Sequence, residues 1–225
     1  PAAPALDLAQ WWQGFGDAQL VTLIEQALAA NPSIVSAQAA VQQARAQVDV
    51  QRAGLLPSLD ASAGGRRSQQ GMADASNSYT VGLDASWELD LWGRKRNLVQ
   101  AGQENLAATQ ASLYAAHVSL SAEVALHYIQ LRNAQERLRI AQHNLALQAQ
   151  TEQMTRWRVQ AGLAASLDAE QARQTLAQTA AQIPSLQASV RQTQHALAVL
   201  TGQAPAALLA ALAQPAPVPA APPTW

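Results

Sequence analysis

Side chains able to bind a metal or move a proton are few and scattered along these 225 residues. Glu123 and His127 stand one helical turn apart and offer two ligands on one helix face, but zinc asks for three or four and no third is near in sequence. His117, His143 and His195 are isolated. Asp84, Glu88 and Asp90 recur on one parity of a strand-like run; paired carboxylates can cleave a glycoside, but only in a concave site that a long hairpin does not supply. Gly14-x-Gly16 lacks the third glycine of a dinucleotide cradle and follows no strand. The chain has no cysteine, which removes disulfides, thiolate catalysis, zinc ribbons and iron–sulfur clusters and leaves the redox compartment open. These residues point away from an enzyme and call for no cofactor and no metal.

Composition narrows the class further. Fifty-one Ala and 30 Gln make more than a third of the chain, with 4% aromatic and 13% charged residues, a balance suited to thin, closely packed helices. The net charge of −1 lacks the basic excess of a nucleic-acid surface, so no nucleic-acid partner is expected. No apolar stretch of about 20 residues forms a spanning helix, a test that says nothing of barrel strands. The opening at Pro1 shows no charged and apolar leader and reads as a chain whose signal peptide has been removed.

The elements that would carry these residues follow from periodicity. Asp17 caps a helix to about Ala30, and Asn31-Pro32 restarts one that runs to about Ala53 before Gly54 and Pro57. From Tyr79 to Leu91 every odd residue is apolar and every even one is small or polar, predicting a strand of thirteen residues. A weaker alternation at Leu59, Ala61 and Ala63 predicts its partner, with Arg66 to Ser78 as a polar loop between them. The stretch from about Arg94 to Gln160 has no proline and predicts a helix of roughly 100 Å with heptads at Leu106, Leu113 and Leu120, then Val124, Leu131, Leu138 and Leu145. Gly162 ends it, Ser166 caps the next, and that helix repeats at Leu176, Ile183, Val190 and Leu197 with a kink expected at Pro184. The fold class expected is α+β, mainly α: a long coiled-coil helical hairpin plus a two-stranded β-hairpin. Four regions result: 1–56 with the first helices, 57–92 with the hairpin, 93–203 with the helical hairpin and its turn near 161–167, and an Ala/Pro-rich linker over 204–225.

An isolated hairpin with an apolar face is unstable in water and must find partners. Tyr79 and Trp92 lie about 43 Å apart along a strand and roughly 30 Å in height at a 45° tilt, the thickness of a bilayer core with aromatics at both interfaces. Val81, Leu83, Ala85, Trp87 and Leu89 would then face lipid, with Asp84, Glu88 and Asp90 toward a wet lumen. The alternative is a soluble periplasmic coiled-coil module that buries this face in a sheet. Arg94-Lys95-Arg96 sits where a helix dipole disfavours cations, so lipid headgroups or acidic neighbours are expected beside it, the alternative being a solvated basic patch.

With these residues in hand the chain resembles the TolC/OprM-like outer membrane factors of tripartite efflux pumps, closest to the OprM-like branch. The matching words are Trp12, Phe15-Gly16-Asp17, Leu20, Leu23-Ile24, Ala27-Leu28 and Asn31-Pro32, then Leu56-Pro57-Ser58-Leu59 and Trp87-Glu88-Leu89-Asp90-Leu91-Trp92-Gly93. Further on come Glu123-Val124-Ala125, Gly162-Leu163, Ser166-Leu167-Asp168 and Leu197 with Leu200-Thr201-Gly202. The resemblance implies a trimer of two-repeat chains in the bacterial outer membrane: a twelve-stranded transmembrane β-barrel continued by a periplasmic α-barrel tunnel, exporting small molecules, multidrug substrates among them. It implies an inner-membrane efflux pump and a periplasmic adaptor as partners, with outer-membrane lipid around the strands. The adaptor would dock at the turn, on Gly162, Leu163 and Asp168 with Ser166 and Arg158 alongside. Ala169 departs from the larger residue usual there, and the lipid-bearing cysteine of this lipoprotein branch is missing. Only one strand–helix repeat is present, and six strands from a trimer close no barrel, so the sequence reads as the first half of a longer polypeptide, the alternative being an assembly of six copies.

Overall fold

A computed structural model describes residues 8–69, 71 and 74–220. After a 3-10 segment, Leu8–Phe15, come helices α1 (Ala18–Ala30) and α2 (Pro32–Ala53), strands β1 (Ser58–Ser68) and β2 (Ser76–Ser86), and helices α3 (Arg94–Gln160) and α4 (Ser166–Leu200). The chain divides into two compact units, residues 1–35 with 115–225 and residues 36–114. Among the described residues no single helix is long and apolar enough to cross a membrane.

The first unit is built around α1. The Asp17 carboxylate accepts the N–H groups of Gln19 and Leu20 at 2.9 and 3.1 Å, which starts the helix, and Leu20, Leu23, Ile24 and Ala27 then fall on one buried face. Asn31 closes α1 with its own N–H on the Ala27 carbonyl and opens α2 with its side chain on the Ser33 N–H. Its amide also donates to the Leu200 carbonyl at 2.9 Å, tying this junction to the end of α4. There Gly202, at φ +70°, brings the chain so near Ala30 that a Cβ would lie 2.9 Å from the Ala30 carbonyl oxygen. The α3 heptad face is buried at Leu120, Val124, Tyr128 and Leu131, together with Leu197 of α4. Leu138, Leu145, Leu176, Ile183 and Val190, farther along the same heptads, are only half-buried.

One detail of α4 differs from expectation. Its N-cap is Ala165, with Ser166 the first helical residue, because Asp168 folds back and its carboxylate takes the Ala165 N–H at 3.2 Å. Pro184 lies inside α4 without ending it. Beside it a groove of about 490 Å³ runs between α3 and α4, lined by Thr179, Gln182, Ser185 and Leu186 opposite Arg137 and Asn144.

The segment after α4 corrects the linker reading. Over Ala204–Gln214 the chain is a series of turns, with Leu208 and Leu212 buried at 7% and 1% exposure. Alanine and proline gave no periodicity, yet two leucines four apart suffice to seat this strap when its carbonyls also find donors. The last linker residues, 221–225, and residues 1–7 lie outside the described residues.

In the second unit Gly102 is buried against α2, where a Cβ would overlap the Gln51 side chain. The strands pair antiparallel from Ser58↔Ser86 to Ser68↔Ser76. The hairpin thus reaches into the expected polar loop: Arg66, Arg67 and Ser68 pair with Ser78, Asn77 and Ser76, since a ladder of backbone bonds needs no apolar side chain. Residues 70, 72 and 73 of that loop lie outside the described residues. At the other end β2 stops at Ser86, five residues short of the expected Leu91. The residue next in register on β1 is Pro57, which has no N–H to extend the ladder.

Candidate functional site

The hairpin has two chemically distinct faces, and register assigns them. Leu59 opposite Ala85, Ala61 opposite Leu83, Ala63 opposite Val81 and Gly65 opposite Tyr79 make one apolar face. The other carries Ser58 and Ser86, Asp60 and Asp84, Ser62 and Gly82, Gly64 and Thr80, Arg66 and Ser78. Every residue of both strands is exposed save Gly82, which is intermediate; Val81 is 85% exposed and Leu83 72%. Thus Tyr79, Val81, Leu83 and Ala85 share one side and Asp84 the other. Asp60, which the sequence pattern did not single out, stands directly opposite Asp84, a juxtaposition of like charges that disfavours the isolated pair.

Trp87, Leu89, Glu88 and Asp90 belong to no strand, contrary to the expected lipid-facing and lumen-facing assignments on β2. The two acids serve the basic run instead. Glu88 holds Lys95 at 3.2 Å and Arg94 at 3.7 Å. Asp90 accepts the Arg96 N–H at 2.9 Å and pairs with its guanidinium at 3.4 Å, acting as an anionic cap on α3. Burial alone would raise the Asp90 carboxyl, but hydrogen bonds from the Arg96 and Lys95 backbone and the Arg96 charge hold it below the usual carboxylate range. Acidic neighbours therefore explain how three cations tolerate a helix N-terminus. Trp87 donates its indole N–H to the Leu55 carbonyl at 3.1 Å, and Trp92 is 87% exposed in the turn before α3.

The turn between α3 and α4 is a Schellman motif. Gly162 sits at φ +73°, its N–H on the Val159 carbonyl and the Leu163 N–H on that of Arg158 at 2.8 Å. Trp157, Leu163 and Leu167 are all more than half exposed around the turn. Arg158 and Asp168 bracket it, and Ser166 begins α4. Glu123 is exposed on α3, and among the described residues it gathers with His127 no third ligand.

Sequence reasoning missed a buried polar network in the first unit. Arg132, 1% exposed, donates to Gln135 Oε1 and the Gln214 carbonyl at 2.8 Å, Gln19 Oε1 at 2.5 Å and the Tyr128 hydroxyl at 3.0 Å. Tyr128 in turn donates to Asp17 Oδ2 at 2.7 Å. Burial, reinforced by that bond to Asp17, pushes the Tyr128 phenol up to about 12. Gln135 and Gln194 both donate to the Leu212 carbonyl and Gln19 to that of Ala211, so the network receives the strap. The available signal was the spacing of Tyr128, Arg132 and Gln135, which places two polar side chains on the helix face that also holds Leu131 and Val124.

Residues 23–203 match the outer membrane efflux protein family. The chain is 31% identical over 211 residues to the pyoverdine export outer membrane protein OpmQ of Pseudomonas aeruginosa, covering 88% of this chain and 44% of that one. It is 32% identical over 203 residues to the cation efflux system protein CusC of Escherichia coli, covering 89% and 44%. The fold superposes on the outer-membrane channel OprN with a TM-score of 0.82 at 39% identity, over 94% of this chain and 49% of that one. The chain spans about half the length of the relatives it matches. By the extent of the matched span, the chain belongs to the outer membrane efflux protein family.

Proposed function

We propose that the chain supplies two barrel strands and one helical hairpin to a passive conduit in the outer membrane, one that carries small molecules from periplasm to exterior. The observation that carries this reading is the hairpin: two eleven-residue strands whose apolar face no described element covers. Ten steps of about 3.4 Å give roughly 34 Å, or about 24 Å in height at a 45° tilt, of which the apolar rows from Leu59 and Ala85 to Gly65 and Tyr79 take about 14 Å. This replaces the longer span from Tyr79 to Trp92. A soluble module would need an element over Val81 and Leu83, and none of the described residues provides it.

In this reading Tyr79, Val81, Leu83 and Ala85 meet lipid, and Asp60 and Asp84 line the water-filled side. Assembly is by three copies of a two-repeat chain, with regions 1–56, 57–92, 93–203 and the segment beyond as its parts. The α3–α4 turn, with Arg158, Gly162, Leu163, Ser166 and Asp168, docks a periplasmic adaptor that links the conduit to an inner-membrane pump. Leu163 supports this, because an exposed leucine held out by a rigid turn gives a partner apolar area at little entropic cost. Site-directed crosslinking tests it: Leu163→Asp is expected to weaken adaptor capture while oligomer assembly is retained, and unchanged capture would remove the docking assignment.

A further inference from the structure

On the apolar side of the hairpin the sequence of side chains toward the loop is Ala85, Leu83, Val81, Tyr79 on β2, opposite Leu59, Ala61, Ala63, Gly65 on β1. The Tyr79 ring leans over Gly65, whose missing side chain leaves room 3.5 Å from the ring carbons. The next pair on the same face is Arg67 with Asn77. Arg66, one residue earlier, projects from the opposite, polar face, across from Ser78 and one row from Thr80. Among the described residues neither arginine pairs with a carboxylate, unlike Arg94, Lys95 and Arg96 at the hairpin's other end, which Glu88 and Asp90 neutralise. Two ends of one hairpin therefore treat their cations differently: the end next to α3 satisfies them internally, and the loop end leaves them open.

We propose that Arg67 is a lipid-binding residue that takes the phosphate of an anionic lipid headgroup at the loop end of the hairpin, one step beyond the Tyr79 ring. The assignment rests on the barrel reading, because only there does the apolar face meet acyl chains. Tyr79 marks where that face changes from apolar to polar, and the pair spacing of about 7 Å along the strands places Arg67 at headgroup depth. A guanidinium offers a planar fork that matches two phosphate oxygens, and Asn77 across the ladder adds an amide donor. Arg66 shares the charge and the neighbourhood but faces the lumen, which makes it the internal control.

The test measures binding of a fluorescent short-chain phosphatidic acid to the assembled protein in mild detergent, with phosphatidylcholine of the same chain length as the neutral comparison. Arg67→Gln is expected to weaken phosphatidic acid binding about fivefold, the effect of one arginine near an anionic surface. Arg66→Gln should change it less than twofold, Arg67→Lys should fall between, and millimolar inorganic phosphate should not compete. Equal losses in the two glutamine variants, competition by inorganic phosphate, or no loss in Arg67→Gln would each overturn the proposal. A nitroxide at Val81 separates the two levels: quenching by a lipid-soluble agent with unchanged Arg67→Gln binding refutes the headgroup site alone, whereas a Val81 label hidden from that agent refutes the barrel reading with it.

Discussion

Replacing Leu212 by alanine isolates the strap. Leu212 is 1% exposed, and its carbonyl accepts from both Gln135 and Gln194 at 2.7 and 3.1 Å, so truncation removes packing while leaving these backbone bonds available. Truncating a leucine at a closed site costs about 2–5 kcal/mol. If that cost falls on the docked strap and not on the opened one, the population of opened strap rises about 30-fold at the lower bound and several thousandfold at the upper. Limited proteolysis by elastase, which cuts after alanine, reads this population directly when opening is fast relative to cleavage. The strap offers Ala204, Ala206, Ala207, Ala210, Ala211 and Ala213, so the initial cleavage rate over 204–214 should rise at least about 30-fold under native conditions. Leu209→Ala, at a half-buried position, should raise it much less. A change under about threefold for Leu212→Ala, or equal changes for the two variants, would refute the claim that the strap is seated on the helices.

Three further outcomes follow. Gly162 and Gly202 share a left-handed backbone, but a Cβ at Gly162 meets nothing within 4 Å while one at Gly202 meets the Ala30 carbonyl. Gly162→Ala should therefore cost about 1 kcal/mol and Gly202→Ala about 2–4 kcal/mol by denaturant unfolding monitored on helix content. The raised Tyr128 pKa means that the neutral phenol stabilises the fold; this contribution is complete below the ordinary value of 10.0 and lost as pH rises through about 12. Stability of the unaltered protein should fall across that window, and Tyr128→Phe, weaker by about 1 kcal/mol at neutral pH, should show a flatter curve there. If Asp60 and Asp84 line water in a conduit, Asp60→Asn with Asp84→Asn should lower the cation preference of its conductance in planar bilayers, and an unchanged reversal potential would speak against a lumen position.

Much of this architecture was legible because its signals are local. The Asp17 cap, the Asn31-Pro32 junction, the proline-free run of α3 and the Gly162 turn all emerge within a few residues of the side chains that cause them. What escaped depends on partners distant in sequence. The thirteen-residue alternation overran the strand because ladder length is set by Pro57 on the opposite strand, 30 residues before Trp87. Glu88 and Asp90 share the parity of Asp84, yet chain direction turns after Ser86 and hands them to Lys95 and Arg96. Ser166 has the chemistry of a cap, but Asp168 reaches back and moves the helix start by one residue. The strap was invisible for a different reason: its fixation lies in carbonyls, which every residue has, and in donors more than 70 residues away on α1 and α3.

The central claim is that the two parities of β2 meet different solvents. These 225 residues contain no cysteine, so Leu83 and its neighbour Asp84 can each be replaced by one cysteine, any cysteine elsewhere in the full-length protein being removed first, and spin-labelled in turn within the assembled protein in its membrane. The Leu83 label should be quenched by oxygen dissolved in lipid and shielded from a water-soluble nickel chelate, and the Asp84 label should behave the opposite way. Equal quenching of both labels by the aqueous agent, or a Leu83 label untouched by the lipid-soluble one, would contradict the conduit.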